Sequence, residues 1–141
     1  MVSRHAIAAA VIGLLVIATP GCESQPTGLT ATGSVTAKGK PVSGVVITLQ
    51  PVPPTEGPKA TALVFDGRFE FGPGAGLTAG QYRVRFSLLP PEFRQAAPEE
   101  QRSKFPPEGS VIPAKFDSQS NEIWELKSDQ ENSSDYEITI R

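Results

Sequence analysis

Histidine and cysteine are almost missing from this chain. Each occurs once in 141 residues, as His5 and Cys22, both near the N-terminus. After Cys22 there is neither an imidazole nor a thiol. A Ser-His-Asp triad, a Cys-His pair and the usual His/Cys zinc sites therefore have no residues to build them. A single cysteine also excludes an intrachain disulfide. No apolar run approaches the roughly 20 residues that span a bilayer. No glycine-rich loop has the Walker spacing, and Gly72-Pro73-Gly74-Ala75-Gly76 follows a predicted strand without a helix to supply an N-terminus for phosphate. Lysine and arginine are scattered and the formal net charge is −2, so no basic stripe offers itself to nucleic acid. The one tryptophan, Trp124, alternates with Leu126 and is expected in a core rather than as an exposed sugar-stacking platform.

What is present begins with a targeting segment. Arg4 and His5 form a small basic region, and Ala6–Ala18 is an unbroken apolar or glycine run, too short for a comfortable span but of signal-peptide length. Thr19-Pro20-Gly21-Cys22 follows at once. A small residue directly before a cysteine at the end of such a run resembles the lipobox of bacterial lipoproteins, although Thr19 and Pro20 depart from its usual residues. The resemblance implies a signal peptide over residues 1–21, cleavage ahead of Cys22, and lipid attached to the Cys22 thiol. A lone cysteine in an exported chain calls for an explanation. Lipidation supplies one; a free thiol, an intermolecular disulfide and an uncleaved signal anchor are the alternatives. Cleavage would remove one charged side chain, Arg4, along with His5, leaving a domain's worth of chain at net charge −3. Residues 22–28 then read as the lipidated cysteine and a short polar tether, and residues 29–141 as one folded domain.

That domain reads as all-β. Gly33–Pro51 predicts a β-hairpin: an approach strand ending near Ala37, a turn at Lys38-Gly39, and a return strand Gly44–Gln50 with Val45, Ile47 and Leu49 on one face. Pro51–Pro58 is a proline-rich loop. Ala60–Phe65 is a strand, Asp66-Gly67 a two-residue hairpin turn, and Arg68–Phe71 a strand with both phenylalanines inward. Gly72–Gly80 is a loop. Gln81–Ser87 alternates most cleanly, with Tyr82, Val84 and Phe86 opposite Arg83 and Arg85. Glu122–Lys127 and Asp135–Arg141 are the last strands, joined by the polar run Ser128–Ser134. About seven short strands without a helical period predict an antiparallel β-sandwich. Between Leu88 and Val111 the alternation fails among five prolines, each interval offering a helical turn or two. This segment is expected to be an exposed, mobile crossover and the foremost candidate for a binding surface.

Several stretches together resemble bacterial carboxypeptidase regulatory-like domains, which share a transthyretin-like (prealbumin-like) sandwich. Gly33, Val35, Gly39, Pro41, Val42, Gly44, Val45 and Ile47 match that family's opening pattern. Asp66-Gly67-Arg68-Phe69 resembles its D-G-x-F hairpin, and Ala79–Val84 its P-G-x-Y-x-V segment. Ile112-Pro113-Ala114-Lys115-Phe116 is similar to a segment of short bacterial lipoproteins that carry the domain. The resemblance implies a transthyretin-like fold, which hosts many roles; the expectation of no catalysis comes from the missing histidine and thiol. Transthyretin-fold hydroxyisourate hydrolases rely on histidine, which the cleaved chain would lack.

Carboxylates give no better case for an enzyme. Glu99-Glu100 are adjacent in the crossover, and Glu70, Glu125 and Glu137 fall on outward strand positions, where a glycosidase needs two carboxylates held across a cleft. Asp66-Gly67 alone lacks the repeated ligands of a calcium loop and reads as a turn. The expectation is therefore a non-catalytic, lipid-anchored envelope module without cofactor or metal. It would meet the membrane through Cys22 and an envelope protein or polysaccharide through its surface. The alternative is a lipoprotein that binds a small ligand or carbohydrate.

Overall fold

The computed structural model describes residues 28–141, so Cys22 and the predicted signal peptide lie outside the described residues. Eight strands form two facing sheets. In the first, β1 (Ala31–Ala37) is flanked along one edge by the two-residue β2 (Lys40–Pro41) and by β5 (Arg68–Phe71), both antiparallel to it, and along the other by β8 (Ser133–Glu137). The second sheet is antiparallel throughout, in the order β4 (Ala60–Val64), β3 (Val45–Pro51), β6 (Gly80–Leu88), β7 (Ile123–Leu126).

The period-two pattern places the core as expected. Val45, Ile47 and Leu49 of β3 and Tyr82 and Val84 of β6 are fully buried. Phe69 and Phe71 meet them from the first sheet, and Trp124 and Leu126 from β7. Each such side chain contributes on the order of 1.5–3 kcal/mol by leaving water. Phe69 sits at the centre of the aromatic packing, edge-on to Phe71 at 6.0 Å and Trp124 at 6.1 Å, and stacked on Tyr136 at 6.4 Å. Its ring lies over Gly33, where an added Cβ would come within 2.6 Å of the ring and 1.8 Å of the Ser134 carbonyl oxygen. No side chain larger than hydrogen fits there.

Two expectations are corrected. First, β1 and β3 are not a hairpin. The Lys38-Gly39 turn forms, both residues having positive φ, but the return strand ends after Pro41. The chain then crosses to the second sheet through buried Val42, Ser43 and Gly44. It returns at Phe65–Arg68, where Asp66-Gly67 makes the expected turn, with φ of 48° and 75°, but links two sheets rather than two paired strands. The two crossings are bonded to one another. Gly67 N–H donates to the Val42 carbonyl at 2.8 Å, Asp66 N–H to Ser43 Oγ at 2.8 Å, and Gly44 N–H to the Val64 carbonyl at 3.1 Å. Second, the sandwich is not wholly antiparallel, since β8 runs parallel to β1. It also begins two residues earlier than predicted and ends at Glu137, and the extended chain beyond it keeps Ile138 buried and pairs Arg141 with Val111. Residues 72–79 are a loop, as read, with a 3-10 turn at Pro73–Ala75 and a buried Leu77.

Candidate functional site

The crossover begins where β6 leaves the sheet at Leu88. Pro90 and Pro98 are extended, and each is followed by a short helix, α1 (Pro91–Ala96) and α2 (Glu99–Arg102). This bears out the reading of a helical turn or two per proline interval. Neither helix buries a residue, so something else must hold the segment down. That is Phe105, 7% exposed, whose ring occupies the space left by the missing side chain of Gly44; a Cβ there would stand 2.8 Å from the ring. The Arg94 guanidinium lies 5.9 Å from the centre of this ring, over its face, and donates to the Pro106 carbonyl. Lys104 adds an exposed ion pair with Asp66 at 3.2 Å and approaches the Phe65 ring at 5.3 Å.

Pinned in this way, the segment borders an open cleft of about 570 Å³. Leu88, Leu89, Pro90, Pro91 and Pro107 supply apolar walls, while Arg94, Arg102 and Glu108 bring charge. Its volume falls within the range of about 300–1,000 Å³ common to small-molecule pockets. Arg102 takes part in neither of the two ion pairs among the described residues, which are Arg85–Asp117 and Lys104–Asp66. The sequence pointed to this segment through its prolines but not to the arginines, which gave no periodic signal.

Three further concavities among the described residues were not anticipated; one, of about 460 Å³, lies along Gln50–Pro53 beside Arg83 and Ile123, and the other two hold charged groups of both signs. A cleft of about 350 Å³ on the side of the sandwich is lined by Phe86, Lys115, Phe116, Glu122 and Tyr136. Ala114–Phe116 of the Ile112–Phe116 segment forms a 3-10 turn there, and Lys115 lies 4.9 Å over the Phe116 ring. Burial pushes the Tyr136 phenol up from 10.0 to about 12, opposed by a hydrogen bond from Ser134 and assisted by the charge of Glu122. The last is a broad hollow on the outer face of the first sheet, lined by Thr32, Ser34 and Thr36 with Arg68, Glu70 and Asp135. Ser34 Oγ donates to Asp135 at 2.7 Å, and Thr36 to Glu137. The Thr36 hydroxyl first, then the Gly39 N–H, hold the exposed Glu137 carboxyl below its ordinary value.

The remaining predicted positions stay apart. Glu70, Glu125 and Glu137 are exposed on outward strand positions and Glu99-Glu100 on α2, as expected. Trp124 is 8% exposed and belongs to the core. Among the described residues, no group of three or more His, Cys, Asp or Glu stands close enough to hold a metal ion, and no helix is long and apolar enough to cross a membrane. Comparison with protein-family models, with curated proteins and with solved structures returned no match.

Proposed function

We propose that this chain is a lipid-anchored protein of a bacterial envelope. Residues 1–21 are its signal peptide, Cys22 carries the lipid, residues 22–28 are the tether, and residues 29–141 form a carboxypeptidase regulatory-like, transthyretin-like domain. The domain acts without catalysis, by contacting a protein or polymer. The observation that carries the reading is polarity. The chain enters the fold where Leu29 N–H bonds the Leu77 carbonyl at 2.9 Å, beside the start of β6. The crossover cleft lies at the other end of β6, beyond Leu88 and its partner Val45. Nine strand residues separate the two ends, a distance of about 26 Å. A body tethered through Cys22 holds its binding end away from the membrane.

The anchor rests on the lipid alone, because residues 23–28 are polar and the net charge after cleavage is −3. Each buried methylene contributes about 0.8 kcal/mol, and one acyl chain binds only marginally, so a diacyl group is the smallest durable anchor. Labelled fatty acid should enter the wild type but not Cys22→Ala, and only the wild type should fractionate with membranes. Wild-type protein that takes up no lipid and remains soluble would refute the anchor. The alternative reading, a lipoprotein that binds a small ligand, is favoured by the cleft itself.

A further inference from the structure

We infer that the crossover cleft recognises the carboxylate end of a peptide whose last side chain is aliphatic. Three features select that chemistry. The walls Leu88, Leu89, Pro90 and Pro107 are apolar, so the occupant must bring an apolar body rather than a bare ion. Arg94 and Arg102 open into the same space. A guanidinium fork matches a carboxylate through two parallel N–H donors, and Arg94 is held ready by its bond to the Pro106 carbonyl and its position over Phe105. Glu108 shares the lining, so two positive charges face one negative and leave a surplus of one. That balance suits a monoanion and disfavours the second charge of a phosphate monoester, while the Glu108 carboxylate can accept the N–H of a peptide amide. The site stands out against a net-acidic chain. Proline-rich walls also lose little freedom when a ligand docks, because their backbone is already restricted.

The inference deepens the reading of a membrane-distal contact surface and rests on it for its biological setting, but its test does not depend on the anchor. The full chain, purified in detergent, is titrated with N-acetyl-Ala-Leu and with its C-terminal amide, and binding is followed by calorimetry and by amide chemical shifts. The acid should bind saturably, with shifts concentrated at Leu89, Gly109 and Ser110, and the amide at least about tenfold more weakly, the usual weight of a charged hydrogen-bonded contact. Arg102→Gln, at an exposed position, should weaken the acid by a similar factor with an unchanged melting temperature, and Arg102→Lys should recover part of it. Equal binding of acid and amide overturns the inference, as does no saturable binding, or affinity indifferent to Arg102. Phenyl phosphate binding more tightly than the acid overturns the choice of a monoanion. Peptide binding by a protein that takes up no lipid would leave the cleft assignment standing and refute only the anchor.

Discussion

Replacing Phe105 by alanine separates the crossover from the sandwich in a measurable way. Phe105 is 7% exposed, yet it is not part of the main core; its ring rests on Gly44 and under Arg94 as a satellite beneath a long segment. Losing a buried phenylalanine typically costs 3–5 kcal/mol. The other ties of the crossover are weak by comparison. The Lys104–Asp66 pair is more than half exposed on both sides and, as a surface ion pair, contributes at most about 1 kcal/mol. The loss should therefore appear as easier local opening rather than global unfolding. Taking about 3 kcal/mol, the open population rises roughly a hundredfold, and cleavage follows that population when closing is fast. In Phe105→Ala, trypsin should cut after Arg102 and Lys104 about a hundred times faster than in wild type under folding conditions. The denaturant midpoint of the sandwich should move by less than about 1 kcal/mol equivalent. Mapped fragments and an unfolding curve decide it. A midpoint that drops by the full core amount, with cleavage in native buffer unchanged, would show that crossover and sandwich are one cooperative unit.

Two other perturbations test the body of the fold. Val84 is fully buried between Tyr82 and Phe86, so Val84→Asp should destabilise by about 4 kcal/mol or more, whereas Arg83→Asp loses mainly a 3.1 Å bond to Gln50 and should change stability by less than about 1 kcal/mol; equal midpoints for the two would reverse the faces of β6. Because the folded state holds the Glu137 carboxyl below its ordinary value of 4.5, its contribution is present above pH 4.5 and is lost as pH falls through the lowered native value. Glu137→Gln should flatten that part of the acid limb, and an identical pH profile for the variant would show that Thr36 and Gly39 do not stabilise the ionised form.

Alternation made the inside of this protein readable. Val45, Ile47 and Leu49, Tyr82, Val84 and Phe86, Phe69 and Phe71, and Trp124 and Leu126 are all buried where period two put them. Alternation does not say which sheet a strand joins, because a strand that crosses between layers still turns one face to the same core. That is why β1 and β3 read as a hairpin. The clue to the crossing was three consecutive small or β-branched residues, Val42-Ser43-Gly44, which break the in-out rhythm and are all buried. Nor does alternation distinguish a parallel neighbour from an antiparallel one. The pairing of β8 with β1 rests on contacts more than a hundred residues apart in sequence, such as Ser34 with Asp135, and on Thr32 N–H bonding the Asn132 carbonyl, which starts the strand ahead of its apolar pattern.

The candidate site was half legible for a related reason. Proline content marked Leu88–Val111 as irregular, but irregular chain is not thereby loose. What fixes it is one phenylalanine in a polar stretch, set against a glycine 61 positions earlier. Gly44 serves two ends at once. Its φ of 76° lets the backbone leave the first sheet for the second, and its missing Cβ leaves the hollow that receives Phe105. The corner of the sandwich and the floor of the crossover are therefore the same residue. Any side chain at position 44 would strain the crossing and lift the crossover together, and with it the Arg94 that lines the cleft. The geometry of the crossover cleft is thus set by the sandwich corner beneath it, which no local pattern within Leu88–Val111 could have revealed.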